Sequence, residues 1–305
     1  MKKFYIIGID DSRQQEFNPE VKAIVATHRV FSGGKRHYEL IHEHLPEQYI
    51  WIDITVPLDV VFEKYTSYSE VVVFASGDPL FFGFANTVRN RLPEAEIRVF
   101  PWVNSLQTLA HRLVMPYQDM EIVSLTGRPW HEFDRALIER KAKIGILTDR
   151  QHTPVAVAKR MLAYGYSGYR MTIGEMLGNA DEQVRTMELP EVAHSDFRFP
   201  NCLILEKITE RERFFGIPES EFYLLDGRTK MITKMPVRLL TLSMLDLHNR
   251  CSFWDIGFCT GSVSIEAKLQ FPHLHITAFE VREEGQELME RNSRKFGTPG
   301  ITAVT

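Results

Sequence analysis

The sequence predicts an α/β protein in which parallel strands alternate with helices. Short apolar runs recur along the chain, longer amphipathic segments separate them, and Gly, Pro, Asn and Asp cluster at the junctions. Of the 305 residues, 44% are hydrophobic and 25% are charged, a balance typical of a soluble globular protein. The length suits two domains.

The predicted elements alternate regularly along the amino-terminal part of the chain. Asn18 and Pro19 favour a first helix, because Asn caps helices and Pro suits the first helical position. Strands are predicted at 4–9, 30–34, 49–55, 71–77, 96–102, 121–127, 143–149, 170–177 and 199–208. Helices are predicted at 18–30, 57–68, 78–92, 104–114, 131–143 and 153–166.

A second α/β unit is expected after a linker. Residues 209–222 are charged, contain Gly216 and Pro218, and show no clean period. The predicted domains are therefore 1–208 and 223–305. Parallel strands need cover on both faces, so the few strands of 223–305 suggest part of a longer, truncated domain. Beyond the linker, helices are predicted at 235–249, 260–271 and 283–297, and strands at 252–258, 275–281 and from 301 onward.

Composition argues against several classes of function. The net charge is −4 and no block of like charge stands out, so no nucleic-acid surface is expected. The three cysteines follow no disulfide or metal spacing, which is typical of a reducing cytoplasm. No apolar run reaches the roughly 18 residues of a membrane span. The pairs His42/His44 and His273/His275 have no third ligand nearby, so surface histidines are preferred to a metal site.

The junction Ser76-Gly77-Asp78-Pro79, after a buried strand, is the first candidate site. Ligands of open α/β sheets bind beyond the carboxyl ends of the strands. Gly77 permits a close backbone approach or a positive φ, and Asp78 with Pro79 suits the capped start of a helix. Taken alone, these residues favour a plain helix cap. Later junctions carry further signals, at 101–106, 125–129, 147–154 and 174–178.

Together and in this order, the junctions resemble the tetrapyrrole (corrin and porphyrin) methylases. The motifs are SGDP with Gly83 after it, P-x-x-N-S, LTD followed by TP, and GEMLG followed by DE. The resemblance covers residues 1 to about 208 and is closest to the precorrin-6Y branch of the family. It implies a two-lobed α/β fold and S-adenosylmethionine (SAM) as the cofactor. The cofactor-binding residues that it implies are Gly77, Asp78, Phe81, Ser105, Leu106, Leu147 and Gly178.

The loop after the first strand departs from the family pattern. Where the family has G-x-G-P-G-D, this chain has Gly8-Ile9-Asp10-Asp11-Ser12. One Gly and the Pro are absent, which leaves the role of this loop on the substrate side open.

The stretch from Asp255 to Gly261 (DIGFCTG) is the second candidate site. It ends a predicted strand and opens a helix, and Glu280 ends the next strand, where an acid accepts hydrogen bonds from ribose hydroxyls. The stretch resembles the D-x-G-x-G-T-G motif of class I SAM methyltransferases. Cys259 replaces the middle Gly, and a tolerated small residue is preferred there to a reactive thiol. The cofactor-binding residues implied here are Asp255, Gly257, Phe258, Cys259, Thr260, Gly261 and Glu280.

The residues from Thr233 to Arg238 resemble the T-x-x-x-V-R segment of methyltransferases that methylate C15 of a precorrin and remove the ring-C acetate carboxyl. That likeness implies a cofactor contact for Thr233. The two domains in this order resemble the bifunctional methylases of cobalamin biosynthesis. The implied substrate is precorrin-6B or its cobalt form, methylated at C5 by the first domain and at C15 by the complete second domain. A cytoplasmic homodimer or higher homo-oligomer is also implied.

Four basic residues near predicted junctions are candidates for binding the carboxylates of such a substrate. Arg128, Arg150, Lys35 and Arg36 suit the acetate and propionate groups of a precorrin, since Arg pairs well with carboxylates. Solvated surface charge is as good an interpretation of each one singly. No general base is assigned.

Three other functions stay open from the sequence. A related methylase would act on a protein or RNA, but the second SAM-like domain and the lack of a basic stretch argue against it. A nicotinamide oxidoreductase would use residues 255–261, but its fingerprint is G-x-G-x-x-G and the spacing here differs. A non-catalytic corrinoid-binding protein is kept open by the altered first loop and by Cys259.

Overall fold

The computed structural model describes residues 2–226, 228 and 230–305. They form two compact units, each assembled from separate stretches of the chain. The first unit contains residues 1–117, 174–184 and 198–202, and the second contains residues 118–173, 185–197 and 203–305. The predicted α/β class is confirmed, because helices and three sheets alternate along the chain.

The first unit is built on a five-stranded parallel sheet with the order β3-β2-β4-β1-β5. Its strands are β1 (Lys3–Ile9), β2 (Val30–Gly33), β3 (Ile50–Asp53), β4 (Glu70–Ser76) and β5 (Glu96–Phe100). Its helices are α1 (Pro19–Thr27), α2 (Lys35–Ile41), α3 (Leu58–Tyr65), α4 (Phe84–Arg91) and α5 (Ser105–Arg112).

From Phe4 onward the central strand β1 is buried and largely apolar, because both faces of the sheet are covered. Phe4 and Ile6 pack into one hydrophobic cluster, while Tyr5, Ile7 and Ile9 pack into the cluster on the other face. This alternation over a continuous apolar run is typical of a buried parallel strand.

A second sheet has the order β6-β7-β10-β8-β9. Its strands are β6 (Glu121–Ser124), β7 (Lys143–Leu147), β8 (Tyr169–Glu175), β9 (Gln183–Glu188) and β10 (Asn201–Lys207). The helices near it in sequence are α6 (His131–Ile138), α7 (Pro154–Ala163) and α8 (Leu189–Val192). The predicted later strands at 170–177 and 199–208 are confirmed as β8 and β10.

The third sheet is parallel, with the order β11-β12-β13, and lies in the second unit. Its strands are β11 (Ser252–Ile256), β12 (His275–Phe279) and β13 (Ile301–Val304), and its helices are α9 (Met235–Met244), α10 (Ser262–Gln270) and α11 (Glu284–Phe296). One face packs on these helices through Ile276 and Ala278. The other face exposes Trp254 (68%) and Ile256 (78%).

The expected linker at 209–222 carries no helix or strand except a short 3-10 turn at Glu219–Glu221. It is nevertheless packed, since Ile217 and Phe222 are buried in a cluster with Phe258 and Phe296. The domain boundaries at 208 and 223 stay a prediction.

Within the second unit, α10 and the end of α11 pack against residues 131–166 through buried polar groups. Asp134 forms two hydrogen bonds with the Arg160 guanidinium, both 2.7 Å. Lys268 is fully buried, and burial lowers its pKa to about 8 while Asp134 acts to raise it. The Tyr166 hydroxyl donates to the Gly297 carbonyl (2.7 Å). Buried polar groups with such partners fix the packing of these helices.

No helix among the described residues is both long and apolar enough to span a bilayer.

Candidate functional site

Three loops of the first unit meet at the carboxyl edge of its sheet. They follow β1, β4 and β5, at residues 10–17, 77–83 and 101–104. The Gly77 N–H donates to the Ile9 carbonyl (2.8 Å), and the Trp102 N–H donates to the Gly77 carbonyl (3.2 Å). Gly77 therefore joins the ends of all three strands, at the edge where ligands of such sheets bind.

Glycine is required at two positions of this edge. A Cβ atom at Gly8 would lie 1.9 Å from the Gly77 carbonyl oxygen and 2.7 Å from the Trp102 nitrogen. Gly77 has φ +58°, and a Cβ atom there would lie 2.9 Å from Asn104 Cα. The prediction of a close approach or a positive φ at Gly77 is confirmed, because both occur.

The prediction that Asp78 caps a helix beginning directly after it is wrong. Asp78 Oδ1 accepts a hydrogen bond from the Leu80 N–H (2.8 Å), which closes a local turn. Phe82 then adopts φ 54°, and α4 begins only at Phe84 with Gly83 as its N-cap. The side chain that was expected to cap the helix is therefore used to shape the loop.

The loops after β4 and β5 present apolar side chains to solvent. Phe81 is half-buried, and its ring centroid lies 5.2 Å from that of Phe82. An apolar surface beside a glycine-lined edge suits a ligand with a flat apolar part. The exposed side chains are Leu80 (50%), Phe82 (44%), Trp102 (44%) and Val103 (41%).

Ser105 and Leu106 open α5, directly after the loop that contacts Gly77. Asn104 caps this helix by accepting a hydrogen bond from the Gln107 N–H (2.9 Å), and the Gln107 side chain accepts one from the Asn104 N–H (3.0 Å). Leu106 as a whole residue is only 3% exposed. A cofactor contact for Ser105 and Leu106 stays a prediction.

Gly178 lies beside the loop after β1. Its φ is +86°, and a Cβ atom there would lie 3.7 Å from Asp10 Cβ. The Gly178 N–H donates to Glu182 Oε2 (2.7 Å), and Glu182 pairs with Arg112 (2.5 Å). Gly178 thus reaches the same edge of the first unit as Gly77, although a long stretch of sequence separates the two.

The altered loop after β1 is held by its own carboxylates. Asp10 Oδ1 accepts hydrogen bonds from the Ser12 N–H (3.0 Å) and from Gln15 Nε2 (2.8 Å). Asp11 is 8% exposed and pairs with Arg36 Nη1 (3.2 Å). Side-chain hydrogen bonds therefore shape a loop whose family counterpart is glycine- and proline-rich.

Leu147, in the second unit, is the half-buried last residue of β7. Its carbonyl accepts a hydrogen bond from the Leu125 N–H (2.9 Å). In the loop that follows, Asp149 accepts hydrogen bonds from the N–H groups of Gly127 (2.9 Å) and His152 (2.6 Å). Burial acts to raise the pKa of Asp149, but these backbone donors hold it well below its usual range. The LTD aspartate therefore ties two loops together.

Arg128 and Arg150 are both exposed beyond β6 and β7. Arg128 Nη1 donates to Ser124 Oγ (2.7 Å) and to the Thr126 carbonyl (3.2 Å), so its guanidinium is held near the strand end. A substrate contact for either arginine stays a prediction.

The stretch from Asp255 to Gly261 forms a tight turn between β11 and α10. Gly257, Cys259 and Gly261 have φ values of 82°, 50° and 74°. Phe258 (4% exposed) and Thr260 (1%) point into the core. Residues with a left-handed backbone conformation therefore alternate with buried residues along this turn, as the predicted glycine-rich motif requires.

Glu280 supports this turn from the end of β12. Its Oε2 accepts a hydrogen bond from the Cys259 N–H (2.9 Å), and its Oε1 accepts from the Val281 N–H (2.9 Å) and Arg282 Nη1 (2.8 Å). An ionised carboxylate has about four acceptor positions. Three are used by protein donors among the described residues, and the Glu280 side chain is 2% exposed.

Asp255 is oriented by α10. Its Oδ2 accepts a hydrogen bond from Ser264 Oγ (2.7 Å). Burial raises the pKa of Asp255, and the hydrogen bonds from Ser264 oppose that shift. A carboxylate fixed in this way helps to position the turn.

Thr233 lies in the segment before α9 and is exposed. Cys259 Sγ donates to the Met231 carbonyl (3.0 Å), so this segment lies against the turn. The Thr233 carbonyl accepts a hydrogen bond from the fully buried Arg238 (2.5 Å), which also pairs with Glu266 (3.5 Å). The structure brings the predicted residues of the C-terminal motif together.

We expect the strained φ of Cys259 to govern which residues the turn tolerates. Cys259→Val should lower the free energy of unfolding by about 2 kcal/mol, because a β-branched residue is disfavoured at positive φ. Cys259→Gly should stay within about 1 kcal/mol of wild type, since strain relief offsets the added chain entropy. Urea denaturation tests both, with the exposed Cys251→Val as the control. An equal loss of unfolding free energy in Cys259→Gly and Cys259→Val would contradict the idea that backbone strain at this position causes the effect.

The described residues contain no group of three or more His, Cys, Asp or Glu placed to hold a metal ion. His42 and His44 are exposed in a short 3-10 turn. The His275 ring stacks on His131, with centroids 3.8 Å apart.

Sequence reasoning missed two residues at these sites, His37 and Arg282. His37 lies 2.9 Å from Ser76 at the carboxyl edge of the first sheet, and Arg282 binds Glu280. His37 could have been found from its position just after the predicted strand 30–34, because ligand-binding residues of such sheets follow strand ends. Helix α2, which contains it, was not predicted.

Two family models match the chain. Residues 3–193 match the model of the tetrapyrrole (corrin/porphyrin) methylases, and residues 221–305 match a precorrin methyltransferase domain.

Two curated relatives match the chain over very different lengths. A precorrin-6Y C(5,15)-methyltransferase (decarboxylating) from Sinorhizobium sp is 34% identical over 303 residues, which are 98% of this chain and 72% of that protein. A cobalt-precorrin-6B C(15)-methyltransferase (decarboxylating) from Salmonella typhimurium is 44% identical over 77 residues, which are 25% of this chain and 40% of that protein.

The fold has counterparts among solved structures. A uroporphyrin-III C-methyltransferase from Thermus thermophilus, complexed with S-adenosylhomocysteine, has a TM-score of 0.52 at 19% identity, and the match covers 68% of this chain and 92% of that one. At this identity the likeness concerns the fold.

Proposed function

This chain belongs to the tetrapyrrole (corrin/porphyrin) methylase family, and from that premise we propose that it catalyses SAM-dependent C-methylation of a precorrin macrocycle in cobalamin biosynthesis. The match to a precorrin-6Y C(5,15)-methyltransferase along 98% of the chain carries the proposal, because it includes both candidate sites. The proposed domains are 1–208 and 223–305, with a linker at 209–222.

The residues of the first unit fit SAM. Gly8 and Gly77 let the loops after β1, β4 and β5 lie close together at the carboxyl edge of the sheet, and exposed apolar side chains lie beside them. SAM supplies a methyl group that is already activated for transfer. The residues of the first unit that would hold it are Gly77, Asp78, Phe81, Ser105, Leu106 and Gly178, and a cofactor contact for Leu147 stays a prediction from the family resemblance.

The protein's part in this reaction is positioning. An electron-rich meso carbon of the reduced macrocycle acts as the nucleophile, so no side chain has to form a covalent intermediate. Holding the two reactants in line and excluding water can supply about 7–11 kcal/mol of the barrier. The turn closed by Asp78 and the apolar side chains Phe82 and Trp102 serve this role at the sheet edge.

Residues 223–305 are proposed to belong to the module that methylates C15 and releases the ring-C acetate carboxyl as CO2. Glu280 directly follows β12, where the motif places an acid that binds a ribose hydroxyl, and Gly257 is exposed with nothing within 4 Å of a Cβ atom there. Thr233, Asp255, Phe258, Cys259, Thr260 and Gly261 complete the proposed SAM-binding set. The 44% identity to a C(15)-methyltransferase over 77 residues supports this part of the proposal.

The substrate is proposed to be precorrin-6B or its cobalt form, and the protein is proposed to act in the cytoplasm as a homodimer or higher homo-oligomer. The acetate and propionate groups of a precorrin suit Arg128 and Arg150.

Mass spectrometry of precorrin-6B incubated with SAM and the protein tests the proposed function. We expect at least one added methyl group, placed at C5 by fragmentation. Asp78→Ala should slow the transfer, because the loop loses the carboxylate that binds the Leu80 N–H. Glu94→Ala, an exposed carboxylate in the turn before β5, is the control.

Calorimetry with S-adenosylhomocysteine separates the alternatives. No methyl transfer and no S-adenosylhomocysteine binding, with corrinoid binding retained, would favour a non-catalytic corrinoid-binding protein. Cofactor binding without transfer to any precorrin would favour a methylase with another substrate.

A further inference from the structure

Ser76, the last residue of β4, lies at the centre of a small polar cluster at the carboxyl edge of the first sheet. Its Oγ is 2.8 Å from Arg36 Nη2 and 2.9 Å from His37 Nε2. Arg36 and His37 belong to the first turn of α2, at the end of the neighbouring strand β2. Ser76 itself is exposed.

The backbone determines which His37 nitrogen carries the proton. The Gly34 N–H donates to His37 Nδ1 (3.1 Å), so Nδ1 has to be an acceptor. In the neutral ring the hydrogen is then on Nε2, which faces Ser76 Oγ. Burial, together with the charge of Arg36, lowers the pKa of His37 to about 4, so the ring is neutral at pH 7.

The Ser76 hydroxyl consequently receives two hydrogen bonds, one from Arg36 and one from His37. A hydroxyl has two acceptor lone pairs and one donor hydrogen. With both lone pairs engaged, its hydrogen has to be donated away from the cluster. The described residues give Ser76 Oγ no further partner, so the donor faces solvent or a ligand.

The hydrogen-bond donors around Ser76 favour an acceptor group, such as a carboxylate, that is recognised by hydrogen bonds. Arg36 Nη1 pairs with the buried Asp11 (3.2 Å), which fixes the guanidinium. Each terminal nitrogen of Arg36 carries a second N–H that these contacts do not use. The Arg36 side chain is 41% exposed, so a ligand can reach those donors.

We propose that Ser76 and Arg36 bind a carboxylate group of the ligand, with His37 as the residue that positions the Ser76 hydroxyl. This inference rests on the proposed function, because a precorrin carries many acetate and propionate groups and SAM carries a single carboxylate. The peripheral carboxylate of the macrocycle is the expected source. The proposed carboxylate site includes neither Arg128 nor Arg150, the two exposed arginines of the second unit that were predicted from the sequence.

Ser76→Ala tests the proposal with two separate titrations. We expect the KM for precorrin-6B to rise by about tenfold or more, since a hydrogen bond to a charged group is lost. The Kd of S-adenosylhomocysteine, measured by calorimetry, should stay within about twofold of wild type. The control is Ser69→Ala, which removes an exposed hydroxyl just before the opposite end of the same strand.

The outcomes separate the two sources of the carboxylate. If the Kd of S-adenosylhomocysteine rises and the KM for precorrin-6B does not, the site binds the cofactor and the macrocycle assignment is overturned. If Ser76→Ala matches Ser69→Ala in both measurements, the carboxylate site itself is overturned. If the wild-type protein transfers no methyl group to precorrin-6B, the proposed function fails, and that result is visible before any variant is compared.

Variants of His37 test its positioning role. Gln has both an acceptor and a donor, so His37→Gln should retain most of the affinity for the macrocycle. His37→Leu has neither, and it should reproduce the rise in KM seen with Ser76→Ala while kcat changes little. Equal KM values for the Gln and Leu variants would show that His37 affects substrate binding through packing and not through its hydrogen bond to Ser76.

Discussion

Asp134→Ala should lower the free energy of unfolding by about 3–5 kcal/mol, the cost of removing one partner from a buried ion pair. Asp134 is 1% exposed and binds Arg160 through two hydrogen bonds of 2.7 Å. The variant leaves the guanidinium of Arg160 and the buried ammonium of Lys268 without this carboxylate. The free-energy cost of desolvating these two cations is then no longer offset by a buried carboxylate.

Urea denaturation followed by circular dichroism and Trp fluorescence measures this loss. Asp119→Ala is the matched control, because Asp119 pairs with Lys143 (2.9 Å) but its side chain is 61% exposed. An exposed pair is expected to contribute about 0–1 kcal/mol. Similar losses of unfolding free energy in Asp134→Ala and Asp119→Ala would contradict the conclusion that burial makes the Asp134 ion pair the more stabilising one.

Gly8→Ala is expected to weaken the binding of S-adenosylhomocysteine by roughly hundredfold. The new methyl group would lie 1.9 Å from the Gly77 carbonyl oxygen, so β1 and the loop at 77–83 have to move apart. Overpacking of this kind costs about 1–3 kcal/mol, and each 1.4 kcal/mol lost from binding corresponds to about tenfold in Kd. The Trp102–Gly77 hydrogen bond would be disrupted as well.

Calorimetry against S-adenosylhomocysteine measures this effect, with Gly34→Ala as the control. A Cβ atom at Gly34 would meet nothing closer than 3.7 Å, and the φ of −74° suits any residue. Retention of wild-type affinity by Gly8→Ala would mean that the cofactor does not bind at this edge.

The strands were predictable from sequence where both faces of a sheet are covered. The apolar runs that predict β1 and β4 reflect burial on two sides, and Asn18 caps α1 as its sequence indicates. Strand β9 was missed because it is polar and only partly buried, so it has no apolar run. Helix α2 was missed because it is short and no side chain caps it.

The motifs located the candidate sites, but their internal contacts depend on folding. Nothing in the sequence near Ser76 indicates that His37 lies 2.9 Å away, or that Glu280 binds the Cys259 N–H. At Asp78 the local pattern favoured a helix cap. The turn formed instead because Phe82 takes a left-handed conformation that a helix cannot include.

The interleaving of the two units has a consequence for the order of synthesis. Residues 174–184 belong to the first unit, and the Gly178 N–H binds Glu182 beside the loop at Asp10. A nascent chain grows at about 5–20 residues per second, so roughly ten to thirty seconds separate the emergence of that loop from that of its late neighbours. During this interval β1 to β5 can pair on the ribosome. The glycine-lined edge of the first sheet is completed only later, by residues 174–184, which are synthesised after β6 and β7.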